Sequence, residues 1–258
     1  MNKPYYQDDA VTIYHGDCRE VAAEIDHKFD AVITDPPYGC TCNDWDNVLD
    51  FQSFWKVASA KPNGAICIMA QQPFATDLIV SNRKRFRYDL IWAKSRPVGF
   101  LNASRQPLRA HEHILIFYDK QPVFNPQMSK GEPYTKRHVT ADRPGCYGDY
   151  QHAPVKISNG DRYPKSVIEV SNFNGCQFGF SKDRNQHPTQ KPIELMTYLI
   201  ATYTNACETI LDPFAGSGTT GRAAKDLGRK ATLIEREERY CEIAAKRMEQ
   251  EVLPLEYK

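Results

Sequence analysis

Short apolar runs alternate with amphipathic stretches over the first 118 residues of the chain. Val11-Thr12-Ile13-Tyr14 is rich in β-formers and stops at His15-Gly16-Asp17. Helical spacing runs from Arg19 to about Ile25, and Asp30-Ala31-Val32-Ile33-Thr34 is a second strand that ends abruptly at Asp35-Pro36-Pro37. Phe51–Ala60 has helical spacing and Pro62-Asn63-Gly64 reads as a turn; Ala65–Met69, Asp89–Trp92 and His113–Tyr118 read as further strands. The texture resumes at Thr189, which can cap a helix running to about Tyr203, with Pro192 near its first turn. Thr209–Leu211 is then a strand, Thr219–Leu227 a helix closed by Gly228, Ala231–Ile234 a strand, and Arg239–Glu251 a final helix. This alternation predicts an α/β architecture around a mostly parallel sheet.

Between the two patterned parts, from Asp119 to about Gln186, periodicity weakens. Phe124, Tyr134, Tyr147, Tyr150, Tyr163, Phe173, Phe178 and Phe180 are scattered there among Pro, Gly, Asn and basic residues. A stretch this long inside a compact domain reads as an inserted recognition region rather than a linker.

Composition narrows the class without naming a function. Mean hydropathy is −0.58, and no apolar run approaches the ~18 residues a membrane span needs. The N-terminus MNKPYYQDDA lacks a secretory apolar core. The 8 cysteines form no CxxC pair, so they read as reduced thiols in the cytoplasm. Cys40-x-Cys42 finds no further ligands, and no metal site is expected. The net charge of +1 hides a segregation. Residues 1–81 carry 5 basic and 12 acidic groups, residues 82–109 carry 8 and 1, and residues 119–191 carry 11 and 7. A basic middle between acidic ends suits contact with a polyanion.

Two motifs carry candidate chemistry. Asp212-Pro213-Phe214-Ala215-Gly216-Ser217-Gly218-Thr219-Thr220 follows a strand and opens a helix, the context in which a glycine turn admits a ligand close to the backbone. The next strand ends at Glu235, about 20 residues on, where an acid grips ribose hydroxyls in nucleotide-binding α/β folds. Gly216, Gly218 and Gly221 also fit a dinucleotide fingerprint, but a dehydrogenase offers no reason for the second motif, Asp35-Pro36-Pro37-Tyr38-Gly39. There two prolines rigidify a turn that presents a carboxylate, the Pro36 carbonyl and an aromatic ring together. Such a set can accept two hydrogen bonds from an amino group while the ring stacks on a base.

Asp35-Pro36-Pro37-Tyr38 before Asp212–Thr220 resembles the S-adenosylmethionine-dependent DNA amino-methyltransferases in their β-class order. His15-Gly16-Asp17, Trp92-x-Lys94, His111-Glu112 and His187-Pro188-Thr189-Gln190-Lys191-Pro192 extend the resemblance. It implies a Rossmann-like methyltransferase fold with a mostly parallel seven-stranded sheet and circularly permuted motifs. Residues 1–118 would form the catalytic half, 119–186 the target-recognition insertion and 187–258 the cofactor half. It implies that Asp35, Pro36, Pro37 and Tyr38 act on the target base. Asp17, Asp35, Thr189, Lys191, Asp212, Phe214, Gly216, Ser217, Gly218, Thr219 and Glu235 would surround S-adenosylmethionine; Lys191 reads equally as a surface charge.

The target atom is buried in stacked DNA, so the base would be flipped out. Asp at position 35 resembles the adenine-N6 pattern. Cytosine-N4 methylation is the alternative, RNA a minor one, and a catalytically silent binding module is a reading from another class. Arg83, Lys84, Arg85, Arg87, Lys94, Arg96, Arg105 and Arg109 are candidate phosphate contacts with double-stranded DNA. A homodimer and a cognate restriction endonuclease stand open as partners, and no membrane is expected.

Overall fold

The computed structural model describes residues 3–25, 28–39, 50–58, 60–134, 159–172 and 190–250. In chain order the first part holds β1 (Tyr6–Gln7), β2 (Val11–His15), α1 (Cys18–Glu24), β3 (Phe29–Thr34), α2 (Phe51–Val57), β4 (Ala60–Ala70), α3 (Phe74–Ser81), β5 (Phe86–Val98) and β6 (Arg109–Phe117). The short strands β7 (Ser129–Lys130) and β8 (Asp161–Arg162) follow, then β9 (Val167–Val170), α4 (Ile193–Tyr203), β10 (Thr209–Asp212), α5 (Thr219–Asp226), β11 (Lys230–Glu235) and α6 (Glu238–Glu249). Two compact units result, Met1–Asn125 with Ser166–Lys258, and Pro126–Lys165.

The larger unit is built on one sheet in the order β1-β2-β11-β10-β3-β4-β6-β5-β9. The expected mixture of helices and mostly parallel strands is present, but the sheet has nine strands among the described residues rather than seven. The additions lie at its two edges. β1 has two residues, too few for a period to show. β9 lies inside the segment read as an insertion and buries only Ile168, so its alternation is faint. Its pairing with β5 is pinned by Trp92, whose indole N–H donates to the Val170 carbonyl at 2.8 Å.

Apolar alternation explains the layering. Ala31, Ile33, Cys67, Met69, Ile114, Ile116 and Leu233 face one side, where α4, α5 and α6 supply Leu195, Leu199, Ala223, Ala244 and Met248. Val32, Ile66, Ile68, Leu115, Phe117 and Ile234 face the other, against Val21, Phe54, Phe74 and Leu78 of α1, α2 and α3. Central strands covered on both faces become continuous apolar runs, as in Ala65–Ala70 and Ile114–Phe117. Helix α3 escapes the sequence reading although Phe74, Ala75 and Leu78 put one buried face on it.

Register decides what meets what. β2, β11, β10, β3 and β4 run in the same direction. His15, Glu235, Asp212, Thr34 and Ala70 therefore all arrive at one end, the carboxyl end. β6 runs the other way, with Ala70 opposite His113, so Glu112 enters at the carboxyl end. β5 turns back again, with Trp92 opposite Glu112 and Phe86 opposite Phe117. Among the described residues no helix is long and apolar enough to cross a membrane.

The smaller unit pairs β7 with β8 antiparallel. Gly131 N–H donates to the Gly160 carbonyl at 2.8 Å. Gly160 adopts φ 93°, and a Cβ there would stand 2.2 Å from the Gly131 carbonyl oxygen, so only glycine fits. Arg162 lies over the Tyr134 ring at 4.5 Å.

Candidate active site

β10 and β3 are neighbours in the middle of the sheet, with Ile210 level with Ala31. Their outgoing helices part to opposite faces: α5 joins the core on one side and α2 the core on the other. Such a divergence opens a crevice beyond the carboxyl ends of the two strands, the place where open α/β sheets take ligands. The turn after β10 and the turn after β3 form its two lips.

Asp212 holds the first lip together. Its Oδ1 accepts from the Thr34 hydroxyl at 2.7 Å and the Phe214 N–H at 3.1 Å, and its Oδ2 from the Thr220 hydroxyl at 2.6 Å. Burial nevertheless pushes its carboxyl up to about 6, because the hydrogen bonds offset only part of the lost hydration. Asp212 thus ties β3, the glycine turn and α5 to each other. Gly216 donates its N–H to Glu235 Oε2, and Glu237 its N–H to Glu235 Oε1, each at 2.8 Å. Burial raises the Glu235 carboxyl above its ordinary range, with the backbone bonds opposing. Each oxygen retains a second acceptor direction, so the carboxylate fits a vicinal diol. Alongside, Glu235 pairs with His15, and Gly16 N–H donates to the Glu235 carbonyl at 2.9 Å. Asp17 then caps α1 and holds the Arg19 guanidinium at 2.6 Å.

Other members of the glycine turn face inward. Gly218 adopts φ 76°, and a Cβ would lie 2.7 Å from that of Ala244 in α6. Arg247 donates to the Ser217 carbonyl at 2.8 Å and to the hydroxyls of Ser217 and Thr219, both at 3.2 Å. Arg247 of α6 thus holds the hydroxyls of Ser217 and Thr219 as well as the Ser217 carbonyl. Phe214 stacks on Phe54 of α2 with centroids 6.2 Å apart and planes at 10°.

The second lip carries the Asp35 carboxylate. Its Oδ1 accepts from the Tyr38 hydroxyl and its Oδ2 from the Lys191 ammonium. The Tyr38 ring leans on Phe74 at 5.4 Å. Lys191 is no surface charge: its side chain is 9% exposed, and its ammonium lies 3.7 Å from Glu112 Oε2. The other oxygen of Glu112, Oε1, accepts from Lys94 at 2.5 Å and from the Gln71 amide at 2.8 Å. Burial opposes the charge of Glu112, but Lys191 and Lys94 outweigh it and hold the carboxyl below its ordinary range. Burial likewise opposes the charge of Lys191, and Asp35 and Glu112 outweigh it, raising the ammonium. Two carboxylates and two ammonium groups therefore balance in one desolvated cluster.

Residues 29–246 match the family described as DNA methylase, the N6/N4 methyltransferases. The chain belongs to this family. Among curated relatives it is similar to the Type II methyltransferase M2.LlaDCHI of Lactococcus lactis subsp. cremoris, with 28% identity over 96% of this chain and 93% of the relative. M2.DpnII of Streptococcus pneumoniae gives 27% over 97% and 94%. Among solved structures, M1.HpyAVI in complex with SAM superposes with a TM-score of 0.61 at 26% identity, covering 93% of this chain and all of that one. The cytosine-N4-specific PvuII DNA methyltransferase shares the fold, with a TM-score of 0.69 at 18% identity over 98% and 91%.

For this DNA methyltransferase, the segment read as one basic patch divides. Lys94 is a correction: its side chain is 7% exposed and bonded to Glu112, so it cannot meet a phosphate. Arg83, Lys84 and Arg85 precede Phe86, which pairs with Phe117 at the end of the sheet opposite Asp35. Arg85 is further engaged with Asp119 at 3.2 Å. Arg96, Arg105 and Arg109 are exposed around the carboxyl-end tip of β5 and β6. Thr189 lies outside the described residues. Gln71, Arg247 and Phe54 were not foreseen; only the amphipathic spacing of α2 and α6 hinted that Phe54 and Arg247 turn inward.

Proposed function

We propose that the chain transfers a methyl group to the N6 amino group of a flipped-out adenine in duplex DNA. The observation that carries the reading is that the Asp35-Pro36-Pro37-Tyr38 turn and the Gly216–Glu235 pair leave the same carboxyl end of the neighbouring strands β3, β10 and β11. S-adenosylmethionine, when bound, supplies a methyl carbon activated by a sulfonium and leaves as a neutral thioether. Glu235 would hold its ribose, Asp17 its adenine, and Phe214 with Gly216 the space beside the methyl. Asp35 and the Pro36 carbonyl accept the two amino hydrogens of the target, which aims the nitrogen lone pair and stabilises the positive charge it gains. The methylated nitrogen is then acidic and loses a proton to solvent. Tyr38 offers its ring to the extruded base.

The M1.HpyAVI–SAM complex supports the choice of methyl donor. The relatives' naming as Type II methyltransferases supports a cytoplasmic enzyme acting beside a cognate endonuclease. Incubation with S-adenosylmethionine labelled in its methyl group and duplex DNA should place the label on adenine N6. Label on cytosine N4 alone would overturn the base assignment.

A further inference from the structure

We propose that Lys191 is a two-position latch on the catalytic turn, resting on Asp35 until the target amine arrives and then moving onto Glu112. Glu112 is accordingly a positioning residue for the reaction. The inference rests on the methyl-transfer reading above.

Three observations lead to it. First, both oxygens of Asp35 are engaged, Oδ1 by the Tyr38 hydroxyl and Oδ2 by the Lys191 ammonium. An ammonium in contact with Asp35 competes with the target amine for the carboxylate. It also opposes the positive charge the amine nitrogen gains during transfer. Second, Glu112 Oε2 is buried and receives no hydrogen bond. An unsatisfied oxygen on a buried carboxylate is costly, and native structures usually supply it with a donor.

Third, that oxygen lies 3.7 Å from the Lys191 ammonium, while Lys94 and Gln71 hold Oε1 and so fix how Oε2 is aimed. A displacement of about 1 Å brings the ammonium to charge-assisted hydrogen-bond distance of Glu112. The move exchanges one carboxylate partner for another inside the same desolvated cluster, so no charge is stranded. It leaves Asp35 with Tyr38 and an open acceptor.

Two double variants with the same charge balance test this. Lys94→Met/Glu112→Gln keeps Lys191 opposite Asp35 and removes the second docking place. Lys191→Met/Glu112→Gln removes the latch and keeps Lys94 as the counter-charge. In single-turnover methyl transfer at saturating donor and DNA, the first variant should be at least tenfold slower than the second. Equal rates, or a slower second variant, would overturn the latch, since a cluster that only holds Asp35 in place is harmed at least as much by losing its Lys191 contact as by losing Lys94.

A structure of the wild-type protein with duplex DNA and S-adenosylhomocysteine reads the same question without substitutions. Lys191 should stand within about 3.2 Å of Glu112 Oε2 and be withdrawn from Asp35; Lys191 still on Asp35 beside the bound amine refutes the proposal. Wild-type protein that labels no DNA in the parallel assay would refute the functional reading instead, so the two failures are distinct.

Discussion

The two ends of the sheet treat charge in opposite ways. At the carboxyl end Asp35, Lys191, Glu112 and Lys94 are withdrawn from water into a balanced cluster, and Asp212 is buried among hydroxyls. Beyond it, the turn between β5 and β6 exposes Arg96, Arg105 and Arg109 beside Phe100 and Leu101, and residues 90–111 contain no acid. At the opposite end Arg83 and Lys84 lie in solvent, Arg85 is paired with Asp119, and Arg87 bonds the Lys84 carbonyl and covers Tyr118. A single basic stretch of sequence thus supplies two surfaces about 30 Å apart along β5, the nine residues from Arg87 to Arg96 at about 3.4 Å each. Only the first adjoins the crevice. Charge counted along a chain is not charge counted on a surface.

The largest effect should come from the buried cluster. Asp35→Asn keeps the shape of the turn but removes the carboxylate that stabilises the developing positive charge. Methyl transfer should fall by roughly 10²- to 10³-fold, the scale of losing one preorganised electrostatic partner, with donor affinity within threefold by calorimetry. Collapse of donor binding would mean that Asp35 serves the other lip of the crevice. A smaller effect separates the two basic surfaces. Neutralising Arg96, Arg105 and Arg109 to Gln should lower the slope of log affinity against log salt by about 2 to 3 and weaken duplex binding at every sequence. The same treatment of Arg83, Lys84 and Arg87 should leave the slope unchanged. Equal slopes in the two triple variants would break the distinction drawn between the ends.

The sequence announced the lips of the crevice because turns are local. Asp35-Pro36-Pro37-Tyr38 and Gly216-x-Gly218 are read within a few residues, and the strands that present them are short apolar runs. What stayed hidden depends on pairing between distant segments. Lys94 looks like one more cation until β5 is laid against β6 and its neighbour proves to be Glu112. Lys191 meets Asp35 across 156 residues of chain. Arg247 reaches Ser217 and Thr219 only because Gly218 lets α6 approach α5. Asp212, read as a ligand contact, has its oxygens engaged by Thr34, Thr220 and Phe214, and only Thr220 and Phe214 are near in sequence.

The smallest of these effects concerns the same asymmetry in its purest form, since Asp212 is a charge the carboxyl end buries without a cation beside it. Its carboxyl is pushed up to about 6 by burial, whereas in the unfolded chain it titrates near about 3.9. Between those values the folded state binds the extra proton, so this group adds stability as pH falls through about 6 and withdraws it as pH rises. From pH 7 to pH 5 the gain is about 1 kcal/mol. Glu235, whose carboxyl is also raised by burial, acts in the same sense, so the wild type alone does not isolate Asp212. The difference between wild type and Asp212→Asn isolates it, because an amide does not titrate and can still bond the Thr34 and Thr220 hydroxyls. Urea unfolding at pH 5 and pH 7 should therefore show the wild type gaining about 1 kcal/mol relative to Asp212→Asn at the lower pH. A parallel pH dependence in the two proteins would mean that Asp212 is as well solvated as a surface carboxylate, and the contrast between the two ends would lose its buried side.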